Sequence, residues 1–318
     1  MSKVSLLIYG TRFVFWEALE ITLNIDTVAA IRLSAPFDHT APGFKKNFAP
    51  FGFAPIVVLV GEVPLFTGTM MDVTPVVEPQ RKAIQVNGYA KCGVLAECTS
   101  PASSMPLEFN NLNLRQIAEK MAEPFKVGVT FRGDAGAAFP RVACEPDKKI
   151  LDFLADLAKQ RGFVISSAVD GSLLFWKSAE GEPVARLEQG VSPMFRITPD
   201  FNPQEFYSEM TGLSEVKVGK PATKTTVKPR KEKEDDKKKA TPKAPKEKAK
   251  AGEAPKNYSS FSVKEESNAF RPLVFKIEDA EGADVETATK AALGRMLGGM
   301  VTYTLDMATW LDSKGNLW

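Results

Sequence analysis

Chemistry near neutral pH needs groups that titrate or attack there, and this sequence offers few. Its single histidine, His39, sits in Asp38-His39-Thr40, where Asp38 could pair with it as a general base. The Pro and Gly residues around it read instead as a surface loop. Cys92 and Cys98 have five residues between them, no second pair and no neighbouring histidine, so neither zinc nor redox spacing is met. With Cys144 they make an odd set of three, which suits small core residues in a reducing compartment. The one Ser-x-x-Lys, Ser214 to Lys217, has no partner motif, and there is no Gly-x-Ser-x-Gly elbow. Gly294, Gly298 and Gly299 end a helical pattern with no preceding strand and no following Lys-Ser or Lys-Thr, so they do not cradle phosphate. Asp72, Asp170, Asp279 and Asp312 fall at turn positions. The expectation is a protein with no catalytic, cofactor-binding or metal site.

Charge supplies the one feature that could bind by electrostatics. Residues 217–257 hold fourteen lysines and one arginine against six acids, a net +9, so with +2 overall the remainder carries −7. Lys237, Lys238 and Lys239 at its centre are the candidate contacts for an anionic partner, DNA or an anionic envelope surface, through weak and salt-sensitive attachment. The stretch has five prolines and no aromatic, Ile or Leu. It therefore offers neither base stacking nor apolar burial to offset the entropy of ordering, and reads as a solvated insertion.

The elements that would position any such groups follow from periodicity. In a chain of 318 residues, 44% apolar and 25% charged, there is material for two or three globular domains. No apolar run is long enough for a membrane span, and MSKVSLLIYG lacks the features of a secretory signal. Strand patterns occupy Val4 to Tyr9, Glu20 to Asp26, Ala30 to Ala35, Ile56 to Val60, Pro64 to Met71 and Ala83 to Tyr89. Gly61-Glu62-Val63 joins the fourth and fifth as a hairpin. From about Cys92 the period becomes helical. Leu112 to Phe125, with Asn113 as N-cap, and Asp147 to Arg161, stopped by Gly162, are amphipathic helices. Each precedes a strand, Val127 to Phe131 and Phe163 to Ser167, and Asp170-Gly171 turns the latter into Ser172 to Trp176. Beyond Pro183 come strands at Phe195 to Thr198, Phe206 to Leu213, Tyr258 to Ser262 and Leu273 to Ile277. A helix from Val285 to about Leu297 and a strand from Met300 to Met307 follow.

Several segments together resemble the baseplate hub family of contractile-tailed phages such as Mu, related to the amino-terminal part of type VI secretion spike proteins. They are the hairpin Ile56 to Val60 with Leu65 to Asp72, the run Ile84 to Tyr89 leading to Cys98-Thr99-Ser100, and Lys149 to Leu154 through Gln160 to Phe163. Asp170-Gly171-Ser172-Leu173 and the closing Trp310 to Trp318 complete the set. The lysine-rich insertion is not part of that pattern, and family members usually continue past the last motif.

The resemblance implies a β-rich α+β fold, two tube-like β-barrel or sandwich domains enclosing a small α+β domain. On this reading the parts are 1–91, 92–182 and 183–318, with 217–257 inserted in the third. It further implies a homotrimer whose six tube-like units form a pseudo-hexameric ring joining a six-fold tail tube to a three-fold central spike. Tail tube and spike proteins would be the partners, with tape measure and baseplate wedge proteins as further neighbours. The genome would pass through the channel, and the protein would reside in the virion after assembly in the host cytoplasm. The residues expected to matter are structural: Gly68, Gly88, Gly162 and Gly171 at turns or close approaches, and Phe66, Phe153 and Trp176 in the cores. A baseplate-associated cell-wall hydrolase and a DNA- or envelope-binding protein acting through 217–257 are the alternatives.

Overall fold

A computed structural model describes residues 4–177, 186–188, 190–215, 224–226, 258–267, 269–277 and 282–309. The chain divides into two units, Met1–Ser178 and Ala179–Trp318.

The first unit opens with seven strands in one antiparallel sheet. These are β1 (Val4–Ile8), β2 (Thr11–Phe13), β3 (Ala18–Thr22), β4 (Ala30–Pro36), β5 (Pro55–Val60), β6 (Val63–Val77) and β7 (Lys82–Ala90), with a one-turn helix α1 (Phe44–Asn47) before β5. Their order is β2-β1-β5-β6-β7-β4-β3. Period-two alternation sets which face is inside. In β4, Ile31, Leu33 and Ala35 are buried while Ala30 and Arg32 face out, and in β5 Ile56, Val58 and Val60 are buried. Gly61, at φ 65°, makes the tight turn that pairs Val60 with Val63. The fifteen-residue β6 serves two partners. Residues 63–69 pair with β5, residues 68–77 with β7, and the ladder shifts register between Met70 and Asp72. Such a shift bends a strand and lets the sheet curl. The third strand is displaced from its expected place, ending at Thr22, so Leu23 and Ile25 project from the following loop.

The chain then forms α2 (Val94–Glu97), β8 (Glu108–Leu112), α3 (Leu114–Ala122), β9 (Val129–Arg132), β10 (Phe139–Ala143), α4 (Ile150–Gln160), β11 (Val164–Ser167) and β12 (Leu173–Trp176). Asn113 caps α3 as expected. Its side chain accepts the Gln116 N–H and the Gln116 side chain accepts the Asn113 N–H, both at 3.0 Å, a reciprocal arrangement contributing on the order of 1 kcal/mol. Both helices bury one stripe, Leu114, Ile117, Ala118 and Met121 against Ile150, Leu154 and Leu157. β9 joins the β11–β12 hairpin by pairing parallel with β12. The short strands β8 and β10 pair with one another; their few residues carry no clean alternation, which hid them in the sequence. One apolar cluster runs from Leu6 through Ile84 and Leu95 to Phe175, so sheet and α+β region share a core.

In the second unit, β13 (Met194–Phe201), β14 (Glu209–Glu215), β15 (Lys224–Thr226), β16 (Tyr258–Lys264), β17 (Pro272–Lys276), α5 (Gly282–Gly299) and β18 (Val301–Met307) succeed one another. They form a four-stranded sheet, β15-β16-β14-β17, and a separate ribbon of β13 with β18. Three residues of the lysine-rich stretch thus make a strand, pairing parallel with β16 from Lys224 opposite Ser260. Backbone bonding to an open sheet edge needs no apolar side chain, which is why composition missed it. A small core of Phe261, Ile277, Val285 and Ala288 joins α5 to the sheet. The molecule is accordingly β-rich α+β.

Candidate interaction surfaces

The described residues singled out for chemistry lie in turns, strands and the core. The Asp38 carboxylate accepts the Thr40 N–H at 2.9 Å and the Thr40 hydroxyl at 2.6 Å, and these bonds hold its pKa below the usual carboxylate value. It is therefore committed to its own turn, and exposed His39 lies beside the Phe37 ring at 6.1 Å. Cys92 and Cys144 are buried and Cys98 is half-buried, all three as free thiols. Burial pushes Cys92 up to about 12, so its thiolate is scarce at neutral pH. Asp170 accepts the Ser172 N–H at 3.0 Å and its hydroxyl at 2.8 Å, which lowers its pKa. Ser214 is buried in β14. Asp72 lies at the bend of β6. Among the described residues no three His, Cys, Asp or Glu side chains gather as a metal site, and no helix is long and apolar enough to cross a membrane. Asp279, Asp312, Lys217, Lys237, Lys238, Lys239 and the segment Trp310 to Trp318 lie outside the described residues.

The glycines fall into two kinds. Gly162 and Gly171 have left-handed backbones, φ 68° and 81°. Gly162 ends α4, where a residue without Cβ is favoured. Gly68 and Gly88 lie inside β6 and β7, where a Cβ would run into the Tyr89 and Thr69 carbonyl oxygens respectively. Gly171 combines both demands, since a Cβ there would stand 2.7 Å from the Thr67 carbonyl oxygen and 2.8 Å from Lys91 Cβ. Its own carbonyl accepts the Cys92 N–H at 2.9 Å. Two further bonds tie the α+β region to the same end of the sheet. The Ala29 N–H donates to the Ser167 hydroxyl at 2.9 Å, and the Trp176 indole N–H donates to the Ile25 carbonyl at 3.0 Å. Trp176 is thereby a partly exposed clamp, while Phe66 and Phe153 are buried. Three hydrogen bonds and one close backbone approach thus fix the α+β region against the sheet.

Two bare apolar areas were not anticipated. In the first unit Phe51 and Phe53 are 88% and 56% exposed. With Tyr9 they share left-handed backbones at φ 59°, 44° and 51°. In the second unit the ribbon is amphipathic. Its register places Ile197 opposite Leu305, Pro199 opposite Tyr303 and Phe201 opposite Val301 on one face. Arg196 opposite Asp306, Thr198 opposite Thr304 and Asp200 opposite Thr302 make the other face polar. Phe201 is 67% and Tyr303 55% exposed. Alternation around 195–201 and 301–307 was the signal available, but short strands do not announce whether their apolar face finds a cover.

Residues 92–177 match the family model of the second domain of gp44-like baseplate hub proteins. No curated protein matches the chain. Among solved structures, the 43 kDa tail protein of prophage MuSo2 from Shewanella oneidensis is similar over 100% of this chain and 86% of its own, with a TM-score of 0.74 at 20% identity. A tail protein from Neisseria meningitidis MC58 matches 99% of this chain and 82% of its own, with a TM-score of 0.71 at 15% identity. Prophage tail protein gp18 from Listeria monocytogenes EGD-e covers 97% and 81%, with a TM-score of 0.52 at 9% identity. Residues 92–177 are thus similar to the second domain of gp44-like baseplate hub proteins, and the fold of the chain is similar to those of the MuSo2 and Neisseria tail proteins.

Proposed function

We propose that this protein is a structural hub subunit of a contractile phage tail baseplate, without catalytic activity. Three copies form a ring of six tube-like modules that joins the tail tube to the central spike. The parts of each subunit are 1–91, 92–182 and 183–318.

The observation that carries this reading is a topological echo between the two β regions. In the first, the opening strand β1 pairs antiparallel with β5, the strand that follows α1, and the antiparallel pair β3–β4 lies between them in sequence. In the second, the opening strand β13 pairs antiparallel with β18, the strand that follows α5, and the antiparallel pair β14–β16 lies between. The echo is partial. β17 pairs parallel with β14, whereas β4 is linked through β7 to the rest of its sheet. Two related modules per chain let three chains present six similar surfaces to a tube and three to a spike, a symmetry match that one module per chain would not give. The match to a baseplate hub domain at 92–177 and the close packing of Gly171 on the sheet support the hub role. Lys237, Lys238 and Lys239 would be the contacts for a neighbouring wedge protein or another anionic partner.

Mass in solution by light scattering tests the ring. A stable multiple of three chains is expected, and a single-chain mass at micromolar concentration counts against it. A zymogram on cell-wall substrate tests the absence of activity, with no cleared zone expected.

A further inference from the structure

The last turns of α5 and the connection from β13 to β14 border a cavity of about 430 Å³ within the second unit. Hydrogen bonds brace that connection. The Asn202 N–H donates to the Met300 carbonyl at 2.9 Å, the Gln204 N–H to the Asn202 side-chain oxygen at 3.0 Å, and the Tyr207 N–H to the Met296 sulfur at 3.1 Å. The Arg271 guanidinium donates to the Gln204 carbonyl at 2.6 Å. The cavity is of the size that takes a small ligand, and its walls are already in place, so little ordering cost opposes a guest.

The lining is of two kinds. Met210, Met296 and Met300 supply an apolar wall whose flexible thioethers adapt to the shape of what they meet. Arg295 borders the same space. Arg196 pairs with Asp306 and Arg271 with the Gln204 carbonyl, whereas Arg295 has neither an ion pair nor a hydrogen bond among the described residues. Loss of water around it lowers its pKa, yet a guanidinium does not give up its proton near neutral pH. A partly desolvated charge that cannot neutralise itself is relieved by an anion. Glu205 also borders the cavity without pairing with Arg295, which leaves an acceptor for a ligand that carries an N–H beside its acid group.

The geometry points to a binding site for a peptide carboxylate: Arg295 takes the carboxylate on its forked guanidinium, the neighbouring peptide N–H donates to Glu205, and an adjoining apolar side chain lies against Met210, Met296 and Met300. A chain end and an acidic side chain present the same charge and the same pair of oxygens, so either is a source of the ligand. The site lies within one chain and does not rest on the hub reading.

The test titrates full-length protein carrying isotope-labelled methionine methyl groups, observed by NMR, with three probes. N-acetyl-leucine has a terminal carboxylate, N-acetyl-aspartyl-leucinamide only a side-chain one, and N-acetyl-leucinamide none. Saturable shifts of the Met210, Met296 and Met300 methyls with at least one acid are expected, with Met70 and Met121 of the first unit unmoved, and the acid that gives them tells chain end from side chain. Arg295→Gln should weaken binding roughly tenfold, the loss of a charge-assisted pair. Arg295→Lys should recover only part of it, because an ammonium lacks the fork, and an unliganded methyl spectrum like that of the wild type separates a lost contact from a lost fold. Equal binding of the neutral amide, full affinity in Arg295→Gln, or no saturable shift with either acid at millimolar concentration overturns the site. The ring reading stands or falls on the mass in solution and not on these titrations.

Discussion

The β1–β5 pair and the β13–β18 pair have the same pairing sense and the same place relative to a helix, yet opposite fates. The first is flanked by β2 and β6 and closed over by Phe44 and Phe48, so its apolar side chains are inside. The second has no further strand on either edge among the described residues, and its apolar face meets solvent. Strand pattern is therefore a statement about which side chains share a face, and not about whether that face is covered. In the first unit the cover comes from the same chain; in the second, none is present among the described residues.

Substitution can break this comparison most directly at its two aromatics. Phe66→Ala should destabilise the first unit by about 3–5 kcal/mol, the cost of emptying a full side chain from a packed core. Tyr303→Ala on the ribbon should shift the unfolding of the isolated chain by no more than about 0.5 kcal/mol. Denaturant unfolding at a concentration where the chain is monomeric measures both, and equal costs would erase the distinction between covered and bare pairs. A smaller effect sharpens it within the first unit. Asn113→Ala removes a cap on α3 and should cost about 1 kcal/mol, with Asn113→Ser restoring most of it by thermal melting.

The smallest effect is a pH dependence. Asp170 has a folded pKa below its ordinary 3.8 because it accepts two bonds from Ser172. A depressed carboxylate stabilises the fold above its unfolded pKa, and the contribution disappears as pH falls through the lower folded value. Stability of the first unit should therefore fall between about pH 4 and the acid limit, and Asp170→Asn should flatten that part of the profile. An unchanged slope in the variant would show that the turn carries no protonation-linked stability.

Much of this was readable from residues. The 3.6-residue stripes of α3 and α4, the Asn113 cap, the Gly162 stop and the Gly171 hairpin depend on neighbours a few positions away, so local pattern sufficed. Gly68 and Gly88 were singled out as glycines, but that they sit inside strands, spared a Cβ so that the carbonyls of Tyr89 and Thr69 can approach, depends on the register of β6 against β7. β8, β10 and β15 were invisible because their pairing is backbone bonding to distant partners rather than a side-chain period. Phe51 and Phe53 are of a type usually buried. Only the turn that holds them at positive φ turns them outward.

By itself, then, the sequence determined the element types, the thin supply of reactive groups and the separation of a basic stretch from an acidic body, because composition and short-range period are local quantities. The tertiary structure alone decided which apolar faces are covered, which glycines are close approaches and where aromatic side chains are left bare. Those outcomes are set by contacts between residues tens of positions apart, whose loop-closure cost and geometry no local window contains.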